Sequence, residues 1–297
     1  MNGINSSLST HQASELLGIH ESSVKRLCNA NELDCWLTPG GHRRIPISAL
    51  VAFAETQNIL LPLRHFNGCT ERVWDGLERA RKDDFDALSA LCYDWLDEGH
   101  GHRFARLLEY LLSEQFPLGR LFDRIVSPVM GRVGEGYQQG TLSIGDEHRI
   151  TQAMRDALIT LRLPKAAPAS NDGPTAIVGC MRGEVHELGA LMVRRIVENT
   201  GRRVIYLGLN VPTEEYAAQQ ARYGADLVCI SIMPPMGLVE AQTTARLLEH
   251  MYNPARPYRL ALGGSALGSA KAPPPGTRLL PVRTFGAMEP FNHWLKE

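Results

Sequence analysis

Between positions 10 and 33 the apolar residues fall into two short helical sets, Ala13, Leu16 and Leu17, then Val24, Leu27 and Leu33. Gly18 and a tight turn at Ile19 separate them; Ser9 or Thr10 offers a cap for the first helix and His20-Glu21-Ser22-Ser23 opens the second. Positions 36–45 read as a hairpin with Gly40-Gly41 at its tip, and Ser48 as the cap of a helix over 49–55. A connector at 60–70 follows, holding Pro62 and Gly68. From there to about 163 the period is helical: Phe85, Leu88, Leu91, Cys92 and Trp95, then Phe104, Leu107, Leu108, Leu111 and Leu112, then Leu121, Phe122, Ile125, Val129, Met130 and Val133. Gly99, Pro117 and Gly140 punctuate the stretch, which predicts a helical bundle with a kink or break at Pro128.

A Pro- and Ala-rich run at 164–174 reads as a second linker, and past it the texture changes. Strand patterns at 175–181, 203–207, 226–232 and 259–262 alternate with helical ones at 188–200, 213–223 and 238–251. Such alternation predicts a parallel sheet covered by helices on both faces, an open doubly wound α/β domain of flavodoxin-like type. Three domains result: 1–60, 71–163 and 174–297.

Composition narrows the function classes. Lys and Arg number 31 against 32 Asp and Glu, so no global field draws the chain to polyanions, and a nucleic-acid role needs a local patch. Six scattered cysteines without a Cys-x-x-Cys pair read as reduced thiols of a cytoplasmic protein. The apolar-leaning run at 227–239 carries two prolines and is too short to span a bilayer, and positions 1–8 show no secretory signal, so no membrane partner is expected. No paired acid and base, nucleophile elbow or phosphate loop stands out, which argues against an enzyme.

Two helices joined by a glycine-containing turn form a helix-turn-helix, whose second helix would turn Ser22, Ser23, Lys25 and Arg26 toward base edges and phosphates. The hairpin adds His42, Arg43 and Arg44 as phosphate contacts. These residues resemble the MerR-type winged helix-turn-helix, with Pro39 and Gly40 inserted in the wing motif and Ile45 where an aromatic is common. Four cations against five carboxylates in residues 1–60 make a single reader weak on DNA, so double-stranded operator binding calls for a homo-oligomer, a dimer or tetramer.

In the α/β segment the first strand runs into Glu184-Val185-His186-Glu187-Leu188-Gly189. Ligands of doubly wound sheets sit beyond the carboxyl ends of strands, where a histidine steadied by a carboxylate is a candidate axial metal ligand. Alone it is an ordinary loop histidine. Two more elements fall on the same sheet edge, Ser231-Ile232-Met233 after the third strand and Gly263-Gly264 after the fourth. Together they resemble the base-off cobalamin signature of methionine synthase, corrinoid methyl carriers and cobalamin-dependent mutases. The resemblance implies cobalamin, with His186 on cobalt from below, Glu184 polarising it, and the nucleotide tail in a slot past Gly189, Ser231, Met233, Gly263 and Gly264.

A bundle before such a domain caps the upper face, in one family through Trp-x9-Glu-His. Here Tyr137 stands for the tryptophan, followed at that spacing by Glu147 and His148, and Gln138 occupies the next position, often a cobalt-capturing histidine. The order of reader, bundle and cobalamin domain resembles the CarH/LitR light-dependent repressors. That likeness implies an adenosylcobalamin-supported DNA-binding tetramer that light dismantles, with His148 the alternative upper axial ligand and methyl- or hydroxocobalamin the smaller cofactor choices. Two other readings stay open: a regulator of the same fold answering another tetrapyrrole or none, and a corrinoid methyl carrier, which has no need of the winged reader.

Overall fold

The structure is a computed structural model that describes residues 7–163, 173–267 and 277–297. Most of the linker expected at 164–174 lies outside the described residues. The chain forms two compact units, Met1–Arg106 and Leu107–Glu297.

In the first unit, β1 (Ser7–Leu8), α1 (Thr10–Leu17), α2 (Glu21–Asn29), β2 (Trp36–Leu37), β3 (Arg43–Pro46) and α3 (Ile47–Thr56) make a winged helix-turn-helix. Ser9 caps α1 in a reciprocal box with Gln12, and Gly18 ends it in the left-handed region. The strands lie in the order β1-β3-β2, antiparallel, with Trp36 opposite Arg44 and Leu37 opposite Arg43. Leu8, Ala13, Val24, Leu33, Ile45 and Leu50 fill the core beneath. Ser48 does not cap α3. The helix starts at Ile47 after Pro46, whose extended backbone leads the chain in, and no side chain caps it. A 3-10 turn (Pro62–Phe66), α4 (Thr70–Ala80) and α5 (Asp86–Asp97) follow, Phe66 stacking on Trp95 at 5.7 Å. The unit boundary falls inside α6 (Gly101–Ser113), so the helical stretch foreseen at 71–163 contributes to both units.

The second unit continues with α7 (Leu118–Leu121), a π-helical turn (Phe122–Val126), α8 (Ser127–Gln138) and α9 (Ile144–Thr160). The irregularity expected at Pro128 takes the form of that wide turn, just upstream of the proline in the first turn of α8. The α/β part follows: β4 (Thr175–Met181), α10 (Leu188–Glu198), β5 (Arg203–Val211), α11 (Thr213–Tyr223), β6 (Leu227–Ser231), α12 (Leu238–His250), β7 (Arg259–Gly263), β8 (Val282–Phe285) and α13 (Met288–Trp294). All five strands run parallel in the order β5-β4-β6-β7-β8, the flavodoxin-like arrangement whose direction reverses between β4 and β6. β4 and β6 are buried along their whole length, as central strands of a sheet covered on both faces must be. β5 runs four residues beyond its expected end, to Val211. The closing pair β8 and α13 was not foreseen, since each is short and carries little periodicity.

Candidate functional site

Beyond the carboxyl ends of β4 and β6, at the reversal point, a buried carboxylate joins two loops. The Glu184 carboxylate is 1% exposed. Its Oε1 accepts from the Val185 and His186 backbone N–H groups at 2.9 and 2.8 Å and from the His186 ring Nδ1 at 2.6 Å. Its Oε2 accepts from the Met233 N–H at 2.8 Å, which ties the loop after β6 to the loop after β4. Through this contact the carboxylate occupies Nδ1 of the ring and leaves Nε2 as the nitrogen free to meet a ligand. The His186 side chain is 59% exposed while its carboxylate partner is buried. A metal-binding imidazole requires this form: one nitrogen anchored, the other open. Beneath it, burial and then the nearby Glu184 charge push the Cys180 thiol up to about 12.

Glycines keep the next stretch narrow and clear. A Cβ on Gly189 would lie 3.2 Å from the buried Ser231 Oγ. Gly264 has φ +141, and a Cβ there would sit 2.0 Å from the Ile232 carbonyl oxygen, so only glycine fits. Past these residues opens a cavity of about 790 Å³ lined by His186, Gly189, Ser231, Met233, Gly263 and Gly264. Its volume suits a nucleotide-sized group. The far wall is Phe285 to Phe291 on one side and Asp123, Arg124, Ser127, Met130 and Gly131 on the other. Neither the β8–α13 corner nor the π turn was foreseen as part of the site. The residues carry no motif, and only the folded neighbourhood reveals them. The residues present fit the nucleotide end of a corrinoid: an anchored imidazole at the mouth, a glycine cradle, and a roomy cavity beyond.

Tyr137, Glu147 and His148 do not line this cavity. Tyr137, near the end of α8, is 48% exposed, and the His148 side chain, just past the first turn of α9, is 71% exposed. Glu147 faces His148 Nε2 at 3.4 Å and accepts from Thr151 Oγ1 at 2.9 Å. Two turns along α9, Arg155 Nε donates to Glu187 Oε2 at 2.6 Å, a bond that raises the guanidinium pKa, and the Tyr206 hydroxyl donates to Glu187 Oε1 at 3.2 Å. α9 is thereby fastened beside His186, another link no motif announced.

In the first unit, Lys25, His42, Arg43 and Arg44 gather around one hollow of about 520 Å³ with Ser9, Thr10, Glu21 and Gly41. Ser22, Ser23 and Arg26 do not line it; Ser22 bonds the His20 ring at the start of α2. Lys25 pairs with Glu21 at 2.9 Å, and Arg43 donates to Asn29 Oδ1 at 2.7 Å, so the wing is tethered to α2.

Comparison with known proteins matches residues 7–58 to a helix-turn-helix domain family and residues 67–162 and 174–270 to two families both described as B12 binding domain. The chain is similar to the HTH-type transcriptional repressor CarH of Myxococcus xanthus, 28% identical over 57% of this chain and 55% of that protein. It is also similar to a corrinoid protein of Desulfitobacterium hafniense, 22% identical over 44% of this chain and 62% of that one. The matched region thus spans somewhat over half the length of these relatives. The structure of the Methanosarcina barkeri monomethylamine corrinoid protein shares the fold, with a TM-score of 0.52 at 15% identity over 69% of this chain and 94% of that one. The chain thus carries, in order, a match to a helix-turn-helix domain and two matches to B12-binding domains. No helix among the described residues is long and apolar enough to cross a membrane.

Proposed function

We propose that this chain is a cytoplasmic, CarH-like transcriptional regulator whose cobalamin state controls its assembly and its grip on double-stranded operator DNA. The observation that carries the reading is the Glu184–His186 pair at the strand reversal, opening onto a glycine-walled cavity, in the same chain as a winged reader. Adenosylcobalamin would supply a light-labile cobalt–carbon bond, and methyl- or hydroxocobalamin are the smaller alternatives. His186 would hold cobalt from below with Glu184 fixing its tautomer, while Gly189, Ser231, Met233, Gly263 and Gly264 admit the tail. Tyr137, Glu147 and His148 would face the upper side, His148 as the alternative axial ligand. Ser22, Ser23, Lys25, Arg26, His42, Arg43 and Arg44 would meet DNA, and a dimer or tetramer would make up for the weak charge of one reader.

Such a switch needs a cofactor that binds one assembly better than the other, since equal affinity shifts nothing. α8 and α9 are suited to report the cofactor because Arg155 already fastens α9 next to His186. The test is sedimentation and operator titration of the full chain with adenosylcobalamin, in the dark and after illumination. A pigmented oligomer that binds DNA in the dark and loses at least about tenfold in affinity on illumination is expected, about 1.4 kcal/mol of coupling. Identical assembly and DNA binding in both states overturn the light switch. Replacing Arg43 and Arg44 with Ala is expected to weaken all operators alike and cut the salt slope by about two, at roughly 0.9 per phosphate contact. An unchanged slope removes the wing from the interface. The methyl-carrier reading gives residues 7–58 no task.

A further inference from the structure

The far wall of the cavity is built from two segments distant in sequence, the β8–α13 corner and the turn between α7 and α8. One carboxylate joins them. Asp123 Oδ1 accepts from the Met288 N–H at 2.7 Å, and its Oδ2 accepts from the Glu289 N–H at 2.8 Å. These are the first two N–H groups of α13, which no side chain of its own caps. Arg120, one turn earlier, donates to Glu289 Oε1 at 2.9 and 2.8 Å through Nε and Nη2. Between them Gly119 allows close contact, for a Cβ there would lie 2.8 Å from the Met288 carbonyl oxygen and 2.9 Å from the Glu289 Cα. Asp123 belongs to the π-helical turn and lines the cavity, as do Met288 and Glu289. Asp123, Met288 and Glu289 therefore belong to the clamp and to the wall alike.

Burial pushes the Asp123 carboxyl up from its ordinary range, although the two backbone bonds favour its charged form. A carboxylate kept under that cost, and spent on two N–H groups at the rim of a cavity, fixes where the rim stands. His186 also lines the cavity and is held by Glu184 rather than by this corner.

We propose that Asp123 is a positioning residue for the nucleotide tail of the corrinoid: by pinning the start of α13 to the turn before α8, it sets the width of the tail slot independently of the imidazole at its mouth. This rests on the cobalamin reading above. It makes a demand that a merely structural role does not. Loosening the clamp must penalise a corrinoid that has a nucleotide tail and spare one that lacks it.

The experiment compares dissociation constants of cobalamin and of cobinamide, the same ring without the nucleotide, on the full chain and on Asp123→Asn. The variant is expected to weaken cobalamin about tenfold, the scale of one lost hydrogen bond, and to change cobinamide less than about twofold. Equal losses for both ligands, or no loss for either, overturn the proposal. Arg120→Ala is the milder variant should Asp123→Asn fold poorly. It leaves the Asp123 bonds in place, and a several-fold fall in the cobalamin-to-cobinamide affinity ratio supports the clamp, while an unchanged ratio counts against it. A wild-type chain that binds cobinamide as tightly as cobalamin removes the tail slot alone. A wild-type chain that binds neither removes the cobalamin reading itself.

Discussion

At the sheet edge one buried carboxylate takes four hydrogen bonds from two loops and presents an imidazole, whereas on α8 and α9 Tyr137 and His148 stand in solvent and Glu147 is half-buried. Glu184 is 1% exposed and its partners are mostly backbone N–H groups of the loops after β4 and β6, which it ties together before any ligand arrives. Tyr137 and His148 are 48% exposed overall and 71% exposed at the side chain, and the contact between His148 and Glu147 joins sequence neighbours. A site whose loops are cross-linked by a buried carboxylate is pre-organised because moving it means breaking those hydrogen bonds. One made from exposed helix positions gains its order only from what it closes upon. The lower half should therefore set whether the cofactor is held, and the upper half what its state does.

Substitutions separate the two halves. The largest effect is expected from His186→Ala, which should abolish pigment retention through gel filtration, a loss of at least about a hundredfold in affinity. Pigment retained at the wild-type ratio would place the axial ligand elsewhere. Glu184→Gln comes next. It leaves the imidazole in place but puts an amide N–H₂ where one oxygen accepted, so affinity should fall about tenfold or more and the fold lose about 1–3 kcal/mol, read as a lower Tm. A wild-type Tm would show that the loops after β4 and β6 do not depend on this carboxylate. Gly264→Ala is expected to lower the Tm by a strain of about 1–3 kcal/mol with the imidazole untouched, and an unchanged Tm would mean the Ile232 carbonyl yields freely. Smallest are Tyr137→Phe and His148→Ala, for which dark affinity should change less than about threefold, the scale of a surface substitution. A loss as large as that of Glu184→Gln would erase the contrast between the halves.

Much of the sheet domain was legible because buried parallel strands and their helices leave a strong alternating texture. The run at 175–181 and the helix at 213–223 coincide with β4 and α11. That the sheet-edge residues would come together was legible for a related reason. Glu184, His186, Ser231 and Gly263-Gly264 lie at strand ends, so a spacing in sequence becomes one edge in space. β8 and α13 escaped because four and seven residues are too few to show a period, and with them went the far wall. Asp123 and Arg155 were invisible for another reason. Their partners Met288 and Glu187 are distant in sequence, and nothing local marks a carboxylate or guanidinium for such a bond. Ser48 shows the opposite failure, a good capping residue overridden because Pro46 already sets the backbone entering α3.

Electron paramagnetic resonance of the cobalt(II) corrinoid complex, prepared on the full chain with ordinary histidine and with nitrogen-15 histidine, reads the axial bond itself. Coordination by His186 requires the nitrogen splitting to change from a triplet to a doublet on labelling, and to vanish as a protein signal in His186→Ala. A triplet indifferent to the label would mean that cobalt carries the corrinoid's own base, and the imidazole at the sheet edge would then not be its ligand.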